Sequence, residues 1–251
     1  MRKTKTAISF GMVNIPVQLK PAVKHHEIGF NMLHKKCGER IRYKKVCESC
    51  NEDAPKEEIV KGYEYDAQAY ITFEDEELNK IKSSRDNQIE ILTFVKLEEI
   101  DPVYYEKSYY LEAIGSDKAF ILLSEVLNKE KKVAIARTVL GFREAIVAIR
   151  FGYNALIMST LHFQNEIQVE EQDLNKSGIT AKELDMATKL VKQMSGKFTP
   201  EKYKDTYKEK LEKAINDKLS GKKIVASKAK AAPTIDNLME ALEKSVKSGK
   251  K

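Results

Sequence analysis

Residues 132–150 read KVAIARTVLGFREAIVAIR, and this run constrains the fold more than any other part of the chain. Side chains on a strand alternate between two faces. Here both faces are apolar: Val133, Ile135 and Val139 on one, Ala134, Ala136 and Leu140 on the other. A strand apolar on both faces is buried on both, so the run belongs in a sheet that is closed or covered. Shorter strand-like segments surround it: TAISFGMVNIPVQL broken at Gly11 and around Asn14–Pro16, IGFNMLH, RIRYKKV, AYITF, IEILTFV, SYYLEAI and ALIMSTLHF. Two helices interrupt them. FEDEELNKI carries acids at its start, which suits a helix N-terminus. SDKAFILLSEVLNKE places Phe120, Leu123, Val126 and Leu127 on one face behind a Ser116 or Asp117 cap. Many strands with few, short helices predict a mixed α+β fold: a β-barrel or curled sheet with helices outside it, over residues 1–175.

From residue 176 the periodicity becomes helical. GITAKELDMATKLVKQMSG opens on a Thr180–Glu183 capping box and ends at Gly196. TPEKYKDTYKEKLEKAINDKLSG predicts one helix from Thr199 as cap and Pro200 as first helical residue to Gly221. Its apolar stripe is thin, running through Tyr203, Tyr207, Leu211, Ile215 and Leu219. Residues 222–233 read as a Lys/Ala linker, and 234–251 as a tethered amphipathic helix with a basic end. The stripe of that helix is Ile235, Leu238, Met239, Leu242 and Val246, a pattern suited to docking on a partner, or to folding back on its own domain.

Charge is unevenly placed. Residues 201–251 hold 14 Lys against 8 Asp and Glu, which accounts for the whole net charge of +6, and residues 1–200 are neutral. A basic tail on a neutral body suits an anionic polymer or surface. No phosphate-cradling Gly-rich loop, G-x-S-x-G elbow or H-E-x-x-H helix occurs, and the acidic pairs Asp75–Glu76 and Glu98–Glu99 read as solvated charge, so nothing points to an enzyme. No apolar run reaches the roughly 18 residues of a membrane span. MRKTKTAISF is a poor signal peptide, and three cysteines do not make a secreted disulfide framework. The expectation is a soluble cytoplasmic protein.

One stretch concentrates chemistry: LHKKCGERIRYKKVCESC, residues 33–50, with all three cysteines. His34, Cys37, Cys47 and Cys50 stand in an H-x2-C-x9-C-x2-C pattern, and four N/S ligands suit a tetrahedral structural zinc. Three free thiols, or a reversible Cys47–Cys50 disulfide, are the other readings. Between these residues a strand would put Arg40, Arg42 and Lys44 on one face with Ile41, Tyr43 and Lys45 on the other, preceded by Lys35 and Lys36. Cations about 7 Å apart along a strand match the repeating phosphates of a nucleic acid. A merely solvated edge strand would look similar.

Long motifs across the chain resemble those of bacterial Ku, the DNA-end-binding protein of non-homologous end joining. They are ISFGMVNIPVQL (8–19), LHKKCGERIRYKKVC (33–47), IVKGYEY (59–65), IDPVYYEKSYYL (100–111), KVAIARTVLGFREAIVAIR (132–150) and IDNLMEALEKSV (235–246). The resemblance runs from about residue 6 to 248, and the von Willebrand-like domain of the eukaryotic subunits is expected to be lacking, as in bacterial members. It implies a Ku-core β-barrel with an extended strand-and-loop arm over about residues 30–65. Two such chains would form a homodimer whose arms close into a ring around double-stranded DNA, without sequence preference. It further implies that Lys35, Lys36, Arg40, Arg42, Lys44 and Lys45 border the DNA channel, and that the tail from Lys222 and Lys223 onward adds DNA affinity. The helix with Ile235, Leu238, Met239, Leu242 and Val246 would recruit ATP-dependent DNA ligase D. No cofactor is required, and the zinc question stays open. The alternative function is a zinc-ribbon nucleic-acid-binding protein that needs no DNA end.

Overall fold

A computed structural model describes residues 4–24, 26–81, 88–115, 118–141, 143–170, 178–223 and 238–248. The chain divides into two compact units, residues 1–169 and 170–251.

The first unit is a closed seven-stranded barrel. Its strands are β1 (Thr4–Phe10), β2 (Val13–Pro21), β5 (Gln88–Lys96), β6 (Tyr105–Ala113), β7 (Lys132–Leu140), β8 (Arg143–Gly152) and β9 (Ala155–Leu161). They run around the barrel in the order β1-β2-β6-β9-β8-β7-β5. Six of the seven seams are antiparallel. The seventh closes the barrel in parallel, with Ala7, Ile8 and Ser9 of β1 against Gln88, Ile89 and Glu90 of β5. Closure leaves the barrel itself without a free sheet edge.

The doubly apolar run is explained by two separate cores. Ala134 and Ala136 of β7 join Val147 and Ile149 of β8 in the main cluster, with Ile8, Ile89 and Met158. Helix α2 (Lys118–Glu130) lays Leu123 and Leu127 into the same cluster. The opposite faces of β7 and β8, at Val133, Ile135, Ile146 and Ala148, form a second cluster with Leu161. Ile100, Tyr104 and Tyr105 cover it. Both faces of these strands thus carry apolar clusters, as the alternation requires, while Arg137 on the second face of β7 stays exposed.

Between β2 and β5 the chain makes a long excursion. It contains the hairpin β3 (Lys61–Asp66) and β4 (Ala69–Phe73) and the short helix α1 (Asp75–Ile81). The stretches IGFNMLH and RIRYKKV, expected as strands, lie in no ladder; two isolated bridges, Leu33 with Arg40 and Val46 with Asp53, are all the β pairing there. The expected Ser116 or Asp117 cap lies outside the described residues.

The second unit contains α3 (Ala181–Met194), α4 (Thr206–Leu219) and α5 (Leu238–Ser248). The Thr180–Glu183 capping box forms as expected, with the Thr180 N–H donating to Glu183 at 2.8 Å. The single helix expected from Thr199 is instead a 3-10 turn, Pro200–Lys202, followed by α4 from a fresh cap at Asp205. Asp205 accepts from the Lys208 N–H at 2.9 Å, so the local side-chain bond restarts the helix past Tyr203.

Candidate nucleic-acid interface

The excursion is an arm without a core. From residue 29 to 68 every side chain except that of Ala54 is exposed, including Phe30, Ile41, Tyr43 and Tyr63. Burial cannot hold its shape, so local hydrogen bonding must.

That bonding repeats. The His34 N–H donates to the Glu39 carbonyl at 2.8 Å and the Gly38 N–H to the His34 carbonyl at 2.8 Å, closing a tight loop. Thirteen residues on, the Cys47 N–H donates to Glu52 and the Asn51 N–H to Cys47, both at 2.9 Å. The flanking bonds match too: Ile41 donates to Met32 at 2.9 Å, and Ala54 to Lys45 at 2.8 Å. Gly38 and Asn51 both take left-handed backbone, φ 77° and 59°, a region that glycine and asparagine tolerate best. The arm therefore carries one loop geometry twice. No internal repeat is apparent in the sequence, because His34 matches Cys47, Gly38 matches Asn51 and Arg40 matches Asp53.

Each loop gathers two of the four candidate metal ligands. His34 Nδ1 lies 3.0 Å from Cys37 Sγ. The Cys50 backbone N–H and thiol, with the Ser49 N–H, hydrogen-bond to Cys47 and lower its thiol below the ordinary value. All three cysteines are free and exposed. Among the described residues no three His, Cys, Asp or Glu side chains come together as a metal set, so the pattern folds into two half-sites.

The cations lie on and between the loops. Lys35 and Lys36 lie on the first loop, Arg40 closes it, and Arg42, Lys44 and Lys45 occupy the link to the second. The link is not a sheet strand, so the expected alternation of Arg40, Arg42 and Lys44 on one ladder face does not hold: two bridging loops, not a ladder, set the backbone. Lys44 is neutralised by Asp53 at 2.6 Å. Among the described residues, Lys35, Lys36, Arg40, Arg42 and Lys45 are in no ion pair, and all are exposed. Lys61, at the foot of the hairpin, pairs with Asp75 at 2.7 Å and holds that carboxyl below the usual range.

Lys222 folds back on α4, its N–H donating to the Asp217 carbonyl at 2.9 Å and its ammonium 3.9 Å from the Asp217 carboxylate. Lys223 is exposed. Helix α5 packs with α3, and its Met239, Leu242 and Val246 are half-buried or nearly so. The apolar stripe is thus partly covered, as the fold-back alternative has it, because α3 offers the second unit its own amphipathic face. Ile235 lies outside the described residues.

Comparison with known proteins agrees with this architecture. A family model described as the Ku70/Ku80 beta-barrel domain matches residues 9–186. The Non-homologous end joining protein Ku of Lachnoclostridium phytofermentans is 41% identical over 100% of this chain and 98% of its own length. The protein of that name from Solibacter usitatus is 42% identical, covering 97% and 92%. That from Bacillus subtilis is 36% identical, covering 96% and 80%. With a closed barrel matched by the family model and full-length relatives at this identity, the chain belongs to the Ku family.

Proposed function

We propose that this protein is a non-enzymatic clamp for double-stranded DNA ends that acts in non-homologous end joining. Two chains would pair so that their arms close into a ring, and the duplex would thread it from a free end. The observation that carries this reading is the arm. It leaves a closed barrel between β2 and β5, buries almost nothing in one chain, and carries five cations that are in no ion pair among the described residues. Exposed apolar groups such as Phe30, Ile41 and Tyr63 suit a second chain, and exposed Lys and Arg suit phosphates. Backbone contact of this kind reads charge and shape, so binding would be sequence-independent and weakened by salt. The test compares linear duplex with a closed circle of the same sequence. Strong binding to the first alone supports threading, whereas equal affinity for both supports the end-independent binder instead.

The second unit would deliver ATP-dependent DNA ligase D to the held ends. With α5 resting on α3, the partner would meet the helix pair or displace α5 from it. Action on chromosomal DNA would place the protein in the cytoplasm at the nucleoid. Among the described residues no helix is long and apolar enough to cross a membrane.

The paired loops favour a structural zinc. His34 and Cys37 would supply one half of the ligand set, and Cys47 and Cys50 the other. Such an ion does no chemistry on DNA; it stiffens a segment that has no core.

A further inference from the structure

At one end of the barrel, apart from the arm, the fold bears several electrostatic and conformational costs. Arg150 on β8 is half-buried, yet among the described residues its guanidinium is in no ion pair and no hydrogen bond. A half-buried charge normally finds a partner. It lies folded over Gly152: a Cβ built there would fall 2.5 Å from Arg150 Nη1, so the absence of a side chain at 152 makes its seat. Arg150 lines a cavity of about 310 Å³ that Lys131 and Lys132 also line. Lys131 takes left-handed backbone, φ 52°, unusual for a long side chain. Lys132 stands directly opposite Lys96 in the β5–β7 register, a like-charge pair that weakens a sheet. Among the described residues Glu98 is the sole carboxylate lining the cavity, and it forms no ion pair with Arg150. Asn128 is engaged by the Lys131 ammonium at 3.2 Å.

We infer that Arg150, Lys131 and Lys132, with Lys96 beside them, form a second phosphate-binding site for duplex DNA, built on the barrel rather than the arm. The inference rests on the reading of the chain as a duplex-DNA binder. Cations distributed over three neighbouring strands and a turn are spread over too wide a span for one small ion and suit a polyanion with several phosphates. Arg150 can engage a phosphate through two parallel N–H donors, while the lysines act as point charges. A polyanion seated there would offset the Lys96–Lys132 repulsion and supply the anion that Arg150 lacks.

The test uses the full-length chain and a linear duplex, with affinity measured over a range of salt concentrations. Each phosphate that the protein no longer neutralises should lower the log–log salt slope by about 0.9. Arg150→Ala should therefore reduce the slope by about one, and the Lys131→Ala/Lys132→Ala double variant by about two. Gly152→Ala keeps the arginine but pushes its guanidinium off its seat. The obstructing atom is the far end of a flexible side chain, so the melting temperature should hold while the slope falls as for Arg150→Ala. Wild-type slopes in folded Arg150→Ala and Gly152→Ala would overturn the site. A wild-type chain that fails to bind linear duplex would instead refute the DNA reading itself. Inorganic phosphate serves as a third arm: a phosphate-induced rise in melting temperature that disappears in Arg150→Ala, with the DNA slope unmoved, would assign the cavity to a free anion and overturn the duplex assignment.

Discussion

Lys44 Nζ lies 2.6 Å from Asp53 Oδ2, tying the basic link of the arm to the far side of the second loop. Both side chains are exposed, so the pair contributes at most about 1 kcal/mol to stability. Its larger effect is on which cations are free for phosphate.

Removing the acid should therefore strengthen DNA binding. Asp53→Asn frees Lys44 while keeping the side-chain shape, and the salt slope for linear duplex should steepen by about 0.9. Arg42→Ala, which removes a cation that is in no ion pair among the described residues, should flatten the slope by the same amount, whereas Lys44→Ala should change it little. Salt-dependent binding measurements on the three variants check the ranking. A Lys44→Ala effect equal to that of Arg42→Ala would show that Asp53 does not hold Lys44 in solution.

Cys47 should be the first thiol to react in metal-free protein. Hydrogen bonds from the Cys50 backbone and thiol, and from the Ser49 backbone, favour its thiolate. Its alkylation rate should rise at lower pH than that of an ordinary thiol, and Cys50→Ala should move the profile back up. In protein prepared with zinc, one ion per chain is expected by elemental analysis, and Cys47→Ser or Cys50→Ser should abolish it. Because the candidate ligands all lie on an arm without a core, metal removal should increase amide exchange at Gly38 and Asn51 and leave the barrel strands protected.

Tyr105 carries a buried hydroxyl without a hydrogen-bond partner among the described residues. Burial pushes its titration up, opposed by the positive charge of Arg150. An unsatisfied buried hydroxyl is a cost, so Tyr105→Phe should leave stability unchanged or raise it by about 1 kcal/mol. Urea unfolding of the variant measures this directly. A fall of more than about 1 kcal/mol would mean that the hydroxyl has a partner in solution, such as an ordered water.

In the second unit, Leu242→Asp places a charge on the half-buried stripe that α5 turns toward α3. It should release α5 and abolish ligase stimulation while leaving the salt slope of DNA binding intact. Deleting residues 222–251 should also lower DNA affinity, because it removes Lys222, Lys223 and the lysines that follow them. Ligation assays run beside binding assays separate the two effects. Full stimulation by the truncated chain would exclude the tail as the docking element.

Much of the barrel was legible in the sequence because strand burial is written in a period of two. Val133 and Ile135 against Ala134 and Ala136 announced two apolar faces, and the structure supplies a cluster for each. Helix α3 was equally legible, since Thr180 and Glu183 cap it through a purely local exchange of bonds. The break before α4 was not, because Thr199–Pro200 is a good local start and nothing in the stripe marks the competing cap at Asp205. The twin loops were hidden for another reason. They share backbone geometry rather than residue identity, and left-handed conformations at Gly38 and Asn51 look different in letters.

Spacings of a few residues were enough to reveal most of the elements, the polarity of their faces, the position of the basic stretch and the four N/S candidates at 34, 37, 47 and 50. Long-range packing alone brings β1 against β5 in parallel to close the barrel. The same packing brings Arg150, which closes an apolar run, to rest over Gly152 beside Lys131 and Lys132. Those outcomes depend on strand register and on contacts between residues far apart in the chain, and no local periodicity encodes them.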